Sequence, residues 1–229
     1  MTSYREKNSI RSIIEEFFAT GVVDEVMVVD NNAEEGSVAE VKKTGARLIF
    51  EKKQGHGFAL RRGMTEARGD YVILCEADGS FDPRDVEKFL AYAPSFPVVL
   101  GTRTNTSLIQ PDSAMFFLRR LADIFEGRLI ELLFMSSTIT DVGCTYRLFH
   151  RDIIQMLSGV WLTGDSHFVT ETTLQIAARK IPFIEIPVAF RKRVGESFMT
   201  GNLFKIAKWG VKLLIFIIVF RLRWIFKRS

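Results

Sequence analysis

Tyr71-Val72-Ile73-Leu74-Cys75 is an apolar run of strand length that leads without a break into two spaced acids, Glu76 and Asp78. A buried strand cannot carry two carboxylates for stability alone, because burying unpaired charge is costly. The acids therefore belong at the mouth of the strand, facing a cleft where they can share a divalent cation. Hard cations such as Mg²⁺ take carboxylate and phosphate oxygens, so the pair points to a metal-bound diphosphate. An earlier run, Glu25 to Val29, ends the same way at Asp30. Two strands ending in acids on one edge of a sheet meet the needs of a sugar-nucleotide site.

The surrounding pattern sets the architecture. Asn8 to Thr20 reads as a helix with Ile10, Ile13, Ile14, Phe17 and Phe18 on one face. Val26 to Asp30 is a strand, Glu34 to Thr44 a helix stopped at Gly45, and Ala46 to Glu51 a strand. Gly57 to Ala67 is a helix entered through Gln54-Gly55-His56-Gly57, and Tyr71 to Cys75 is the next strand. Pro83 to Ala93 is a helix with Asp82 as N-cap, followed by a short strand at Val98 to Gly101. This alternation predicts a mostly parallel sheet with helices on both faces, whose ligands bind at the carboxyl ends of the strands. Further on, Ala114 to Phe134 reads as an apolar helix broken near Glu126-Gly127, and Cys144 to Phe149 as a strand. Asp165 to Lys180 is a helix, Phe183 to Phe190 an edge strand interrupted by Pro187, and Arg191 to Gly201 a mobile basic loop.

Length and charge add bounds. The 229 residues suffice for one α/β domain plus an appendage. The net charge of +4 is uninformative, but its distribution is not: Lys205 to Ser229 contains basic residues and no acid. Within it Leu213 to Phe220 is apolar all round, flanked by Lys205, Lys208, Lys212, Arg221, Arg223, Lys227 and Arg228. A helix from Val211 to Phe226 would span roughly 24 Å. That falls short of the ~30 Å hydrocarbon core. The expectation is a helix lying in a membrane interface, with Trp209 and Trp224 at headgroup level; a core helix of the domain is the alternative. Cys75 and Cys144 have no spacing that suggests pairing, which fits a reduced, intracellular chain, and no signal peptide is visible. His56, His150 and His167 lack metal-ligand spacing and read as ordinary surface or packing residues.

At Val29-Asp30, Glu76-Ala77-Asp78-Gly79-Ser80-Phe81-Asp82-Pro83 and Gly101-Thr102-Arg103 the chain resembles the family 2 inverting glycosyltransferases, most of all the dolichol-phosphate mannosyltransferase branch. Gly55-His56-Gly57-Phe58-Ala59-Leu60, Asp141 to Arg147, and Arg193-Val194-Gly195-Glu196-Ser197 match as well. The resemblance implies a GT-A fold over residues 1–201, with 202–229 as a membrane-associating helix. It implies that Asp30 accepts a hydrogen bond from the nucleobase imide, and that Tyr4, Glu6, Gly55 and Ala77 line the donor site. Glu76 and Asp78 fall at the family's DxD position and would hold Mg²⁺ or Mn²⁺. Asp78, with Arg103, Arg147 and Arg193 in phosphate-binding segments, would form the catalytic set. The implied reaction moves a sugar from GDP-mannose or a UDP-hexose to a polyprenyl or dolichyl phosphate, with inversion, at the cytoplasmic face of a membrane and with no nucleic acid involved.

The chain also departs from the family. The family's opening strand is absent and only Thr2-Ser3-Tyr4-Arg5-Glu6 remains of the Pro-x-Tyr-Asn-Glu-like segment that ends it, Glu76 replaces the first Asp, and Ser80 stands where Gln is common. These departures support a second reading, a non-catalytic paralogue or partner subunit that binds nucleotide-sugar at the membrane. On simpler readings Asp30 caps a turn, and Glu76 and Asp78 are turn acids before Pro83. Asp141 and Glu171, which would be the candidate bases for a hydroxyl acceptor, read as structural. The glycines at 55, 57 and 63 do not make a dinucleotide fingerprint, because position 60 is Leu. No glycine-rich N-terminal loop with Arg and Lys supports a nucleotidyltransferase.

Overall fold

The computed structural model describes residues 1–110, 117–194 and 203–226. The expected boundary at 201/202, the segment Gly195-Glu196-Ser197, and Lys227 and Arg228 lie outside the described residues. Two hydrogen-bonded sheets stand side by side. The first holds β1 (Thr2–Ser3), β2 (Met27–Asp30) and β3 (Arg47–Phe50), all parallel. The second holds β4 (Tyr71–Leu74), β5 (Val98–Thr102), β6 (Arg147–His150) and β7 (Phe183–Pro187) in the order β4-β6-β5-β7. Here β5 and β7 are parallel, while β6 runs antiparallel between β4 and β5. The alternating first half thus gives parallel pairing, and the antiparallel strand comes from the second half, after a long helical excursion. As its proline predicts, β7 lies on an edge.

Helices cover both faces. On one, α1 (Ile10–Ala19), α2 (Ser37–Lys42) and α4 (Val86–Tyr92) bury Ile10, Ile13, Ile14, Phe17, Val41, Val86 and Phe89 against Val28, Val99 and Leu148. On the other, α3 (His56–Glu66), α5 (Phe117–Phe134), α6 (Arg151–Ser158), α7 (Phe168–Ala178) and α8 (Leu203–Phe226) share a second core around Leu60, Met64, Ile130, Ile154, Phe168 and Leu174. Asp82 caps a single 3-10 turn, Pro83–Asp85, through its acceptance of the Arg84 amide, as its position before Pro83 predicts.

Among the described residues the two sheets meet only through β1, a two-residue strand where the sequence predicts that the opening strand is absent. Thr2 lies opposite Val29 of β2 and forms a parallel bridge to Glu76 just beyond β4, while Ser3 lies opposite Asp30. Below that two-residue strand, β2 and β4 diverge around a cavity of about 580 Å³, lined by Met1, Val26, Met27, Leu60, Val72 and Leu74 among others. The Met1 ammonium is buried at its upper end, donating to the Met27 carbonyl at 2.7 Å, and burial lowers its pKa.

Three features differ from those expectations or add to them. First, α5 runs unbroken through Glu126-Gly127. Gly127 serves close approach: a Cβ there would fall 2.2 Å from the Ile139 carbonyl oxygen. Second, α6 follows β6 with no intervening loop. Its cap is His150, whose Nδ1 accepts the Asp152 amide, in place of the usual Ser, Thr, Asp or Asn. Third, α8 buries Leu213, Ile217 and Phe220 in the core with α5 and α7 while Val211, Ile215, Ile218 and Leu222 face outward. It is a helix of the domain that also presents an apolar face. Among the described residues no helix is long and apolar enough to cross a membrane.

Candidate active site

The parallel register fixes which side chains share the upper edge of the sheet. Because Thr2 bridges Glu76 while Ser3 pairs with Asp30, the ends of β2 and β4 flank the N-terminal segment, and Asp30, Glu6 and the Glu76-Asp78 turn open on one side. The segment is tied in place: Glu6 accepts the amides of Tyr4 and Arg5 at 2.5 and 2.7 Å, and the Tyr4 carbonyl accepts Glu34 N–H at 2.7 Å. Tyr4 itself is exposed, with the Arg5 guanidinium 5.2 Å from its ring centre. Asp30 Oδ1 caps the following turn, accepting Ala33 N–H at 2.8 Å.

The floor is set by Asn31, a buried residue that the sequence reading passed over. Its amide donates to the Glu51 and Lys53 carbonyls at 2.9 and 2.8 Å, and its Oδ1 accepts Gly55 N–H at 2.9 Å. Gly55 then turns into α3 with φ +147°, where a Cβ would lie 2.3 Å from the Gly164 carbonyl oxygen. A buried Asn directly after a strand-end acid is the signal that could have found this clamp.

Glu76 and Asp78 lie together after β4, flanking buried Ala77, whose carbonyl accepts Ser9 Oγ at 2.8 Å. Glu76 Oε1 accepts the Thr145 hydroxyl at 3.0 Å. Asp78 Oδ1 accepts Ser80 N–H at 2.9 Å, and Oδ2 lies 3.2 Å from Arg193 Nη2. Burial and then the Glu76 charge push Asp78 up to about 6. Burial pushes Glu76 in the same direction, but His56, Arg103, Arg193 and the Thr145 bond together hold it below the ordinary value. His56, at the start of α3, is lowered by burial although the acids Glu76 and Glu6 oppose that. Its proximity to the two acids distinguishes it from His150 and His167, which serve as a cap and as a stacking partner of Trp209.

The three arginines expected to bind phosphate have three different fates. Arg193 reaches the acids. Arg103 lies in the wall behind them, bidentate to Asp141 with Nε–Oδ2 and Nη2–Oδ1 both at 2.8 Å, and its amide donates to the same carboxylate. Arg147 is not brought to the site. Fully buried, it donates to the carbonyls of Cys144 and Val169 and to the hydroxyls of Thr172 and Thr173, joining β6 to α7. Asp141 is engaged by Arg103, and Glu171 accepts Leu162 N–H, Thr163 N–H and the Thr163 hydroxyl.

Among the described residues no group of three or more His, Cys, Asp or Glu side chains forms a ready metal cage. Two adjacent carboxylates suit a cation that completes its shell with phosphate oxygens and water, as Mg²⁺ does. The like charges of Glu76 and Asp78, on carboxylates that burial and then their mutual repulsion crowd, fit that role.

The mixed sheet, the two helical layers and the acids at the β4 mouth define a GT-A-type glycosyltransferase. Residues 1–157 match the model of glycosyl transferase family 2, and the chain belongs to that family. It is 26% identical over 199 residues to a dolichyl-phosphate hexose transferase of Haloferax volcanii, covering 86% of this chain and 83% of that protein. Over 134 residues it is 31% identical to an undecaprenyl-phosphate 4-deoxy-4-formamido-L-arabinose transferase of Pseudomonas fluorescens, covering 56% of this chain but 36% of the relative. In fold it resembles Mycobacterium tuberculosis glucosyl-3-phosphoglycerate synthase, solved with Mn²⁺, uridine diphosphate and phosphoglyceric acid. That likeness has a TM-score of 0.72 at 13% identity, over 96% of this chain and 76% of the synthase.

Proposed function

We propose that the protein transfers a hexose, with inversion, from a nucleotide-sugar to a polyprenyl or dolichyl phosphate at the cytoplasmic face of a membrane, using Mg²⁺ or Mn²⁺. The observation that carries this reading is the shared edge on which β1 joins the Asp30 end of β2 to the Glu76-Asp78 turn. It offers a carboxylate for a base imide at one end and a pair of carboxylates for a diphosphate-bound cation at the other. The relatives named above support the acceptor class, and the structural neighbour supports a nucleoside diphosphate with a divalent metal.

A cation held by Glu76 and Asp78 would supply Lewis-acid stabilisation of the charge on the departing diphosphate. The chain's own residues do the rest. Asp30 and the Tyr4–Glu6 segment take the nucleoside, Gly55 and Ala77 let the backbone approach it, and Arg193 offers a planar fork to phosphate oxygens. Arg103 holds the wall through Asp141. A phosphate acceptor is an anion at neutral pH and needs no general base. This agrees with the engagement of Asp141 and Glu171 elsewhere, since a hydroxyl acceptor would call for one.

The membrane contact is assigned to α5 and α8. Phe117, Leu118, Leu121 and Phe125 on the first and Val211, Ile215, Ile218 and Leu222 on the second are exposed, with Lys208, Lys212 and Arg223 also at the surface of α8. Apolar side chains interspersed with basic ones suit a helix lying in an anionic headgroup layer. In this reading 202–229 is the anchoring segment, seated on the 1–201 catalytic domain through Leu213, Ile217 and Phe220.

The test is transfer of label from GDP-mannose, UDP-glucose and related donors into polyprenyl phosphate in vesicles, with Mn²⁺ or Mg²⁺ and with chelator. A metal-dependent, mild-acid-labile lipid product is expected. No product from any donor with a folded sample would overturn transfer. It would favour the non-catalytic reading.

A further inference from the structure

The segment that follows β7 is tied across the acid turn. The bridge between Phe81 and Phe190 is antiparallel, Arg191 N–H donates to the Ser80 carbonyl at 2.7 Å, and Val194 N–H donates to the Asp78 carbonyl at 2.8 Å. Lys192 N–H is held by Gln110 Oε1 at 3.1 Å, and the Arg191 guanidinium bridges Asp82 and Glu16 at 2.8 and 3.1 Å. Instead of the mobile loop that composition suggests, residues 191–194 form a strap with a backbone register on residues 78–80. That register puts Arg193 against Asp78. One Asp78 oxygen takes the Ser80 amide and the other faces Arg193 Nη2 at 3.2 Å, so both are engaged. The Arg193 Nε is buried with no hydrogen-bond partner among the described residues.

We propose that Arg193 is an exchange residue: it stands in for the divalent cation at Asp78 and is released toward the donor's diphosphate when cation and nucleotide arrive together. The inference rests on the assignment of Glu76 and Asp78 as cation ligands. A cation that reaches Asp78 alone must displace a guanidinium and leave it near a like charge. With a diphosphate present, the displaced fork gains an anionic partner, and its unpaired Nε gains an acceptor. The site therefore binds free cation weakly and the cation–nucleotide pair cooperatively. By linkage, each ligand raises the affinity for the other by the same factor.

The test uses the full chain and Mn²⁺ as probe, read from the paramagnetic resonance signal of free Mn²⁺, first without nucleotide. Arg193→Gln is expected to bind Mn²⁺ about fivefold more tightly than the unaltered protein. The same variant is expected to lose about tenfold in affinity for uridine or guanosine diphosphate at saturating Mn²⁺. Arg193→Lys, which retains the charge, should stay near the original Mn²⁺ affinity and controls for damage to the strap. Equal or weaker Mn²⁺ binding by Arg193→Gln, with binding still abolished by Asp78→Asn, would overturn the exchange role and leave the cation site standing. Mn²⁺ binding that Asp78→Asn does not change would remove both.

Discussion

Arg103 and Asp141 face each other as a two-pronged ion pair within the protein, both prongs at 2.8 Å and both residues nearly free of solvent. Burial alone would raise the Asp141 pKa, but the charge and hydrogen bonds of Arg103 pull it below the ordinary value. The pair closes the loop before β6 onto the end of β5, behind Glu76. Removing one partner strands the other charge, so Asp141→Asn should destabilise the fold by about 3–5 kcal/mol. Urea denaturation checks this. A loss below about 1 kcal/mol would show that water reaches the pair.

Arg147 gives a contrasting expectation. Its fork is engaged by carbonyl and hydroxyl oxygens of α7 and the loop before β6, with no carboxylate among those hydrogen-bond partners. Arg147→Lys should lower the unfolding free energy by about 2 kcal/mol or more, because a single ammonium cannot reach all these acceptors. Affinity for the nucleoside diphosphate should be unchanged. A selective loss of that affinity at full stability would instead place Arg147 at the phosphates.

Glu126 of α5 is buried, and its Oε2 has no hydrogen-bond partner among the described residues. Burial, then the charges of Asp123 and Asp141, push its pKa up to about 8. The folded state thus keeps a proton that the unfolded chain releases near its ordinary value of 4.5. With more protons bound in the folded state, the contribution of this group is complete below pH 4.5 and is lost as pH rises toward about 8. Unfolding midpoints measured from pH 5 to 9 should fall, and Glu126→Gln should flatten that decline. An identical slope in the variant would assign the effect to another group, Asp123 at about 7 being the first to examine.

The cavity beneath β1 makes a prediction about packing. In the register of Thr2 with Val29 and Glu76, a residue placed before Met1 would lie between Met27 and Leu74. An extension of four or five alternating Val and Ile residues should therefore pair with both β2 and β4 and convert the buried ammonium to an amide. The expected result is a melting temperature raised by about 5 °C or more. A Gly/Ser extension of the same length should leave it unchanged. Equal melting points for the two extensions would mean that the gap does not accept a strand.

Local pattern made much of the first half legible. Short apolar runs gave β2, β3 and β4 to within a residue or two, the one-faced spacing of Ile10, Ile13, Ile14 and Phe17 gave α1, and the glycine-bearing turn before it gave α3, because burial is written in the residues that undergo it. The acids at the β2 and β4 ends were legible for the same reason: a charged residue after an apolar run belongs at its mouth. The chain by itself therefore determined an α/β sandwich with carboxylates on one edge, and the residues that match glycosyl transferase family 2.

Partnership between distant residues was not legible. Arginine looks the same in sequence whether it grips Asp141, fills the core as Arg147 does, or leans on Asp78 as Arg193 does. The antiparallel placement of β6, the clamp of Asn31 on Gly55, and the meeting of α8 with α5 and α7 also depend on contacts far apart in the chain. Hydrogen bonds and ion pairs are short-ranged and directional. Which of several chemically equivalent side chains reaches the site is decided only when the tertiary structure brings particular atoms within about 3 Å of one another.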